Sequence, residues 1–143
     1  MRKGQLSFDF VIAMSFLILF LQSFVAFADG LIFDQDMISI KAQQGAIISQ
    51  IEQTILNGNV ISGADAASIN YSVPEVSAPS GRLRNSCFVS LSPNAIGGTT
   101  ITSTVDFEGI VTVPITKDVS HSNLNFSPGN NIDCGGTLTL SKP

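Results

Sequence analysis

Residues 8–28 read FDFVIAMSFLILFLQSFVAFA, and within that run only Asp9, Ser15, Gln22 and Ser23 are not apolar. At 1.5 Å per residue the run makes a helix of roughly 31 Å, enough to cross the hydrocarbon core of a bilayer. Arg2 and Lys3 are the only basic residues ahead of Lys41. Positive charge is retained on the cytoplasmic side, so the remainder of the chain is expected outside the cell. A second reading is a secretory signal with a cut after Ala28, because Ala26-Phe27-Ala28 is an A-x-A-like site. The apolar run is longer than the usual signal core of about 7–15 residues, and it carries an acid at its start.

The rest of the chain is unlike this segment. Of 143 residues, 44% are hydrophobic and 13% charged, the latter about half the usual globular share. Lys and Arg total 7 against 11 Asp and Glu, a balance that argues against a nucleic-acid binder. Most of the ten Phe lie before residue 34. A greasy end and an acidic, Ser/Thr/Asn-rich body describe a protein anchored at one end and solvated at the other. The length suits one small domain.

Beyond Ala28 the apolar residues Phe33, Met37, Ile40, Ile47, Ile48, Ile51 and Ile55 recur every three or four positions. This spacing predicts an amphipathic helix ending near Asn57-Gly58-Asn59, with a bend expected at Asp29-Gly30. The Ile stripe is expected to pack on the following domain, or else to form a seam with a partner helix. After Asn59 the period changes to two. Ile69, Tyr71 and Val73 alternate with Asn70 and Ser72; Leu83, Cys87, Val89 and Leu91 share one parity. Ile101, Val105, Phe107, Val111, Val113 and Ile115 oppose Thr102, Thr104, Asp106, Glu108 and Thr112. We expect four to six antiparallel strands over residues 66–142. The fold class is α+β: a long hydrophobic helix continuing into an amphipathic helix, packed on a small antiparallel sheet domain.

Cys87 and Cys134 share parity with apolar neighbours, and in an exported body they are expected to form a disulfide; the other reading is two buried thiols. Asn70-Tyr71-Ser72 and Asn125-Phe126-Ser127 are acceptor tripeptides for N-glycosylation, with both Asn residues expected to face solvent. No cofactor or metal motif occurs, and His121 is the single histidine. Asp106 and Glu108 on one strand face read as a solvated surface rather than as paired catalytic carboxylates. We therefore expect a protein that is not an enzyme.

Asp9 carries the most information. A carboxylate deep in a membrane costs roughly 2.5–3.5 kcal/mol on insertion scales, so it needs a partner. A cut between Gly4 and Gln5 removes Arg2 and Lys3, leaving five basic residues against eleven acids. It also creates a free amine at Gln5, four residues before Asp9. Two helices staggered by about a turn could pair the amine of one with Asp9 of the next.

Met-Arg-Lys-Gly followed by Gln-x-Ser-x-acid-Phe resembles the class III signal peptide of archaeal type IV pilins and pilin-like proteins. The resemblance implies a prepilin peptidase that cuts after Gly4 and leaves Gln5 first. It also implies retention of the apolar segment, and Asp9 in the place of the family's fifth-position acid, usually Glu. The phrases Ile69–Glu75 and Gly135–Leu140 are similar to those of small archaeal pilin-like proteins. The implied organisation is a leader at 1–4, a hydrophobic transmembrane or filament-core helix at 5–29, an amphipathic helix at 30–58 and a β-rich extracellular head at 59–143. The implied role is a structural subunit of a surface filament acting in adhesion, stored in the cell membrane before assembly. The partners are the prepilin peptidase, other pilin subunits and the membrane. The alternatives are a membrane-tethered binding module and a secreted binding domain released after Ala28.

Overall fold

The computed structural model describes residues 3–60, 68–81, 85–95, 97–107, 111–120, 124–129 and 131–141. Leu83, Glu108 and His121 lie outside the described residues. The chain divides after Asp36 into two compact units. Helix α1 spans Lys3–Val60, so its first part belongs to one unit and its second part to the other.

Among the described residues the first unit is helix alone. Its backbone is helical without interruption through Asp29-Gly30, where the sequence suggests a bend. A single glycine costs a helix only about 1 kcal/mol, which the cooperativity of the long helix on either side absorbs. The helix stops at Val60, close to the expected Asn57-Gly58-Asn59.

The second unit holds the rest of α1 and, among the described residues, seven strands: β1 Ser68–Ser72, β2 Asn85–Pro93, β3 Gly98–Phe107, β4 Val111–Ser120, β5 Asn125–Ser127, β6 Asn131–Asp133 and β7 Thr137–Ser141. They form two antiparallel sheets, in the orders β1-β7-β5 and β4-β3-β2-β6. This exceeds the four to six strands expected. The extra ones are β5 and β6, three residues each, too short to show an alternation.

The core is where the Ile stripe meets both sheets. Ile40, Ile47, Ile48, Ile51 and Ile55 are buried together with Val73, Val89, Ile101, Val105, Leu138 and Leu140. Each such side chain contributes roughly 1.5–3 kcal/mol relative to exposure. The helix is thus part of the head's own core. Two polar residues of α1, Asp36 and Gln44, are buried as well. Gln44 is fully buried, and its Nε2 donates to the carbonyl of Ser103 on β3 at 3.1 Å and to that of Val113 on β4 at 2.9 Å. Both acceptors are carbonyl oxygens, so the nitrogen must be the atom that faces them. At the rim, Lys117 on β4 pairs with Glu52 on α1, an exposed contact worth little on its own.

Tyr71 reaches the same helix. Its hydroxyl donates to Gln50 Oε1 at 2.7 Å, and burial pushes its pKa above the ordinary value. A tyrosine whose folded pKa is raised stabilises the fold below its unfolded pKa, and that contribution is lost as pH rises through the folded value. Tyr71 is the chain's single tyrosine and there is no tryptophan, so an ultraviolet phenolate titration reads this one side chain. The midpoint is expected above about 10 in the folded chain and near the ordinary value in denaturant. A midpoint unchanged by denaturant would contradict the packing of Tyr71.

The outer face of β3 is less solvated than its sequence suggests. Thr104 is buried, opposite Phe88 on β2 and Pro114 on β4. A short side chain on a central strand is shielded by its cross-strand neighbours. Pro114 is tolerated because β4 is an edge strand. The β2–β3 hairpin turns at Asn94–Gly98, with Asn94 Oδ1 accepting from the Gly98 N–H at 2.7 Å. A Cβ at Gly98 would lie 2.2 Å from the Val119 carbonyl oxygen, so only glycine lets β4 close against this turn.

Candidate functional site

The candidate site has two parts: the N-terminal helix, and the bridged, sequon-bearing head. On the helix, Gly4 and Gln5 lie in its first turns. Asp9 follows, exposed between Phe8 and Phe10, which are 66% and 64% exposed. From there to Leu31 the large apolar side chains are exposed on every side of the helix; Phe16, Phe20, Phe24 and Phe27 are examples. Its length and composition are enough to cross a membrane. A helix apolar all round is the form suited to lipid or to the middle of a helix bundle.

The polar residues in that run are not equivalent. Ser15 Oγ donates to the Val11 carbonyl at 2.8 Å and Ser23 Oγ to the Leu19 carbonyl at 2.9 Å. These i to i−4 bonds satisfy both hydroxyls inside the helix, so neither demands an external partner in an apolar medium. No side-chain hydrogen bond or ion pair joins Asp9 to another described residue. A carboxylate has no equivalent way to satisfy itself on its own helix.

In the head, Cys87 on β2 and Cys134, just after β6, form a disulfide with a Cα–Cα distance of 5.3 Å. The pairing expected from parity is present. The Cys134 N–H donates to the Cys87 carbonyl at 3.0 Å, and the following turn is tied to the end of β1 by Gly135 N–H to Val73 O and Val73 N–H to Gly136 O, both 2.8 Å. Gly135 has φ +89°, a left-handed conformation that glycine adopts without strain. The bridge therefore sits where the four-stranded sheet hands the chain to the three-stranded one.

Asn70 on β1 and Asn125 on β5 are both exposed, as their phase requires. Asp106 lies on β3, half-buried. Among the described residues no three His, Cys, Asp or Glu side chains come together as a metal site. A cleft of about 200 Å³ between Leu91, Pro93, Thr99, Leu124 and Phe126 is below the usual range of small-molecule pockets, roughly 300–1,000 Å³.

Gln44 is the structural residue that reading by residue type passes over. Its signal was its position, four residues after Ile40 and four before Ile48. One long apolar N-terminal helix with a small antiparallel β body is the general architecture of pilin-like proteins. Comparison adds no relative: no family model, no curated protein and no solved structure matches this chain.

Proposed function

We propose that the chain is a structural subunit, a pilin or minor pilin-like protein, of an archaeal type IV pilus-type surface filament. The observation that carries this reading is the N-terminal helix. It bears large apolar side chains on all sides and one carboxylate, Asp9, with no partner among the described residues, five residues beyond a Gly4–Gln5 junction. The prepilin peptidase removes the basic leader, and the helix then has no positive charge ahead of Lys41 except its new amine. In the membrane it is a stored subunit. In the filament, contacts with lipid are exchanged for contacts with neighbouring helices. That exchange is nearly balanced, because lipid tails are as apolar as the side chains they leave. Transfer can then be driven by an assembly machine without large losses. Asp9 paired with the Gln5 amine of an adjacent subunit fixes the stagger between helices. The head, with its disulfide and its acidic, Ser/Thr/Asn-rich surface, faces the surroundings and acts in adhesion.

The uninterrupted helix through Ala28-Asp29 favours retention of the segment over release of a secreted module. A permanently anchored binding module shares that helix, and it differs in keeping Met1 and in never sedimenting as a filament. The test is the N-terminus and intact mass of the protein from its own cell envelope. A chain beginning at Gln5, or its pyroglutamate, is expected. A chain beginning at Met1 or Asp29 would overturn the reading.

A further inference from the structure

The two sequons lie far apart in sequence, yet the fold brings them to one surface. β1 and β5 are the two edges of the three-stranded sheet, with β7 between them. Asn70 is registered with Thr139 and Asn125 with Ser141. Paired residues across a sheet project to the same side, so both Asn side chains stand on one face. From two strand spacings and a two-residue offset, their Cα atoms are roughly 12 Å apart. The inward residues of these strands, Ile69, Tyr71, Phe126, Leu138 and Leu140, pack with the core. The Asn face is therefore the one turned away from the Ile stripe.

We propose that this outer face is N-glycosylated, with one glycan on Asn70 and one on Asn125. Within a strand, residues i and i+2 share a face. Ser72 thus stands beside Asn70, and Ser127 beside Asn125, with the acceptor amide and its required hydroxyl together and exposed. The rest of the face is Ser68, Thr137, Thr139 and Ser141, with no charge and no large apolar group. The outer face of the four-stranded sheet differs, since it carries Phe88, Asp106 and Asp118. At Asn70 the Thr139 hydroxyl donates to Oδ1 at 2.9 Å, so a glycan on the amide nitrogen leaves that contact in place.

The donor is an oligosaccharide linked through phosphate to a membrane polyprenol. The Asn amide nitrogen bonds to C1 of the first sugar and gives one proton to a base of the transferase. The bond from C1 to the phosphate oxygen breaks, and the lipid phosphate leaves with the electron pair. The modification needs the head to be outside the cell and does not need a filament.

The experiment is intact-mass and glycopeptide spectrometry of the full chain from its own cell envelope. The wild-type mass is expected to exceed that of the polypeptide by two glycans. Asn70→Gln and Ser72→Ala should each remove the same one, Asn125→Gln the other, and the Asn70→Gln/Asn125→Gln variant both. An intact disulfide in each variant shows that the head has folded. No excess, an excess that survives in the double variant, or a bare site in the wild-type chain would overturn the proposal. The N-terminal residue is read in the same spectra, so failure of prepilin-type processing is seen separately.

Discussion

Reducing the Cys87–Cys134 bridge is expected to cost the head about 4 kcal/mol. The two cysteines are 47 residues apart, and in the chain-entropy treatment closing a loop of that length stabilises by roughly this amount. For a domain of this size each kcal/mol moves Tm by roughly 4–5 °C, so a fall of about 15–20 °C should follow. The location supports the high end. The bridge sits beside the three-residue pairing of β6 with β2, and the chain runs from it into β7, the central strand of the other sheet. Without it, the sheets are held together by the helix and the shared core. The measurement is a thermal melt of the full chain in detergent, followed through Tyr71, with and without reductant and with Cys87→Ala/Cys134→Ala. Complete reduction with a shift below about 3 °C would remove the bridge from the account of stability.

The local periods of this fold were legible in sequence, and its long-range pairings were not. The apolar run and the Ile stripe define α1 because their spacing is a property of neighbouring residues. The alternation in β2, β3 and β4 is visible for the same reason; parity with Val89 and Leu91 points Cys87 inward, and parity with Leu138 and Leu140 does the same for Cys134. The division into two sheets depends on which strands pair, and pairing is decided by contacts between distant segments. Thus β1 and β7, at opposite ends of the head, are partners. The alternation through Ile69, Tyr71 and Val73 announces the burial of Val73, but in the irregular stretch that follows Val76 and Ala78 are buried too, and nothing periodic announces that. Gln44 shows a different limit. A glutamine among isoleucines reads as a solvent-facing residue until the Ser103 and Val113 carbonyls appear opposite it.

The proposed N-terminal site rests on charge and order along the chain. Leader charge, glycine, glutamine, acid and apolar run are all local. The structure adds the contrast between Ser15 and Ser23, satisfied within the helix, and Asp9, which has no side-chain partner among the described residues.

That contrast sets the largest expected effect. Asp9→Ala should abolish filaments while leaving a processed, membrane-held chain that begins at Gln5. In a bundle of apolar helices, removing one member of a buried ion pair leaves the other charge unmatched, at about 3–5 kcal/mol. The orphan here is the Gln5 amine of each neighbour. At 1.4 kcal/mol per tenfold, this lowers the association constant roughly 140- to 4,000-fold at every added subunit. A filament repeats the loss along its length, so the result is absence and not shortening. Loss of a favourable charge at a helix N-terminus is the competing explanation. It is worth about 0.3–1 kcal/mol and is screened by salt, too little to prevent assembly. Asp9→Asn separates shape from charge and should fail as Asp9→Ala does. Asp9→Glu keeps the charge and should assemble. Electron microscopy and sedimentation of sheared surface fractions read the filament, and mass spectrometry of the membrane fraction reads the processing. Wild-type filaments from Asp9→Ala would sink the pairing of Asp9 with the amine as the device that sets the stagger.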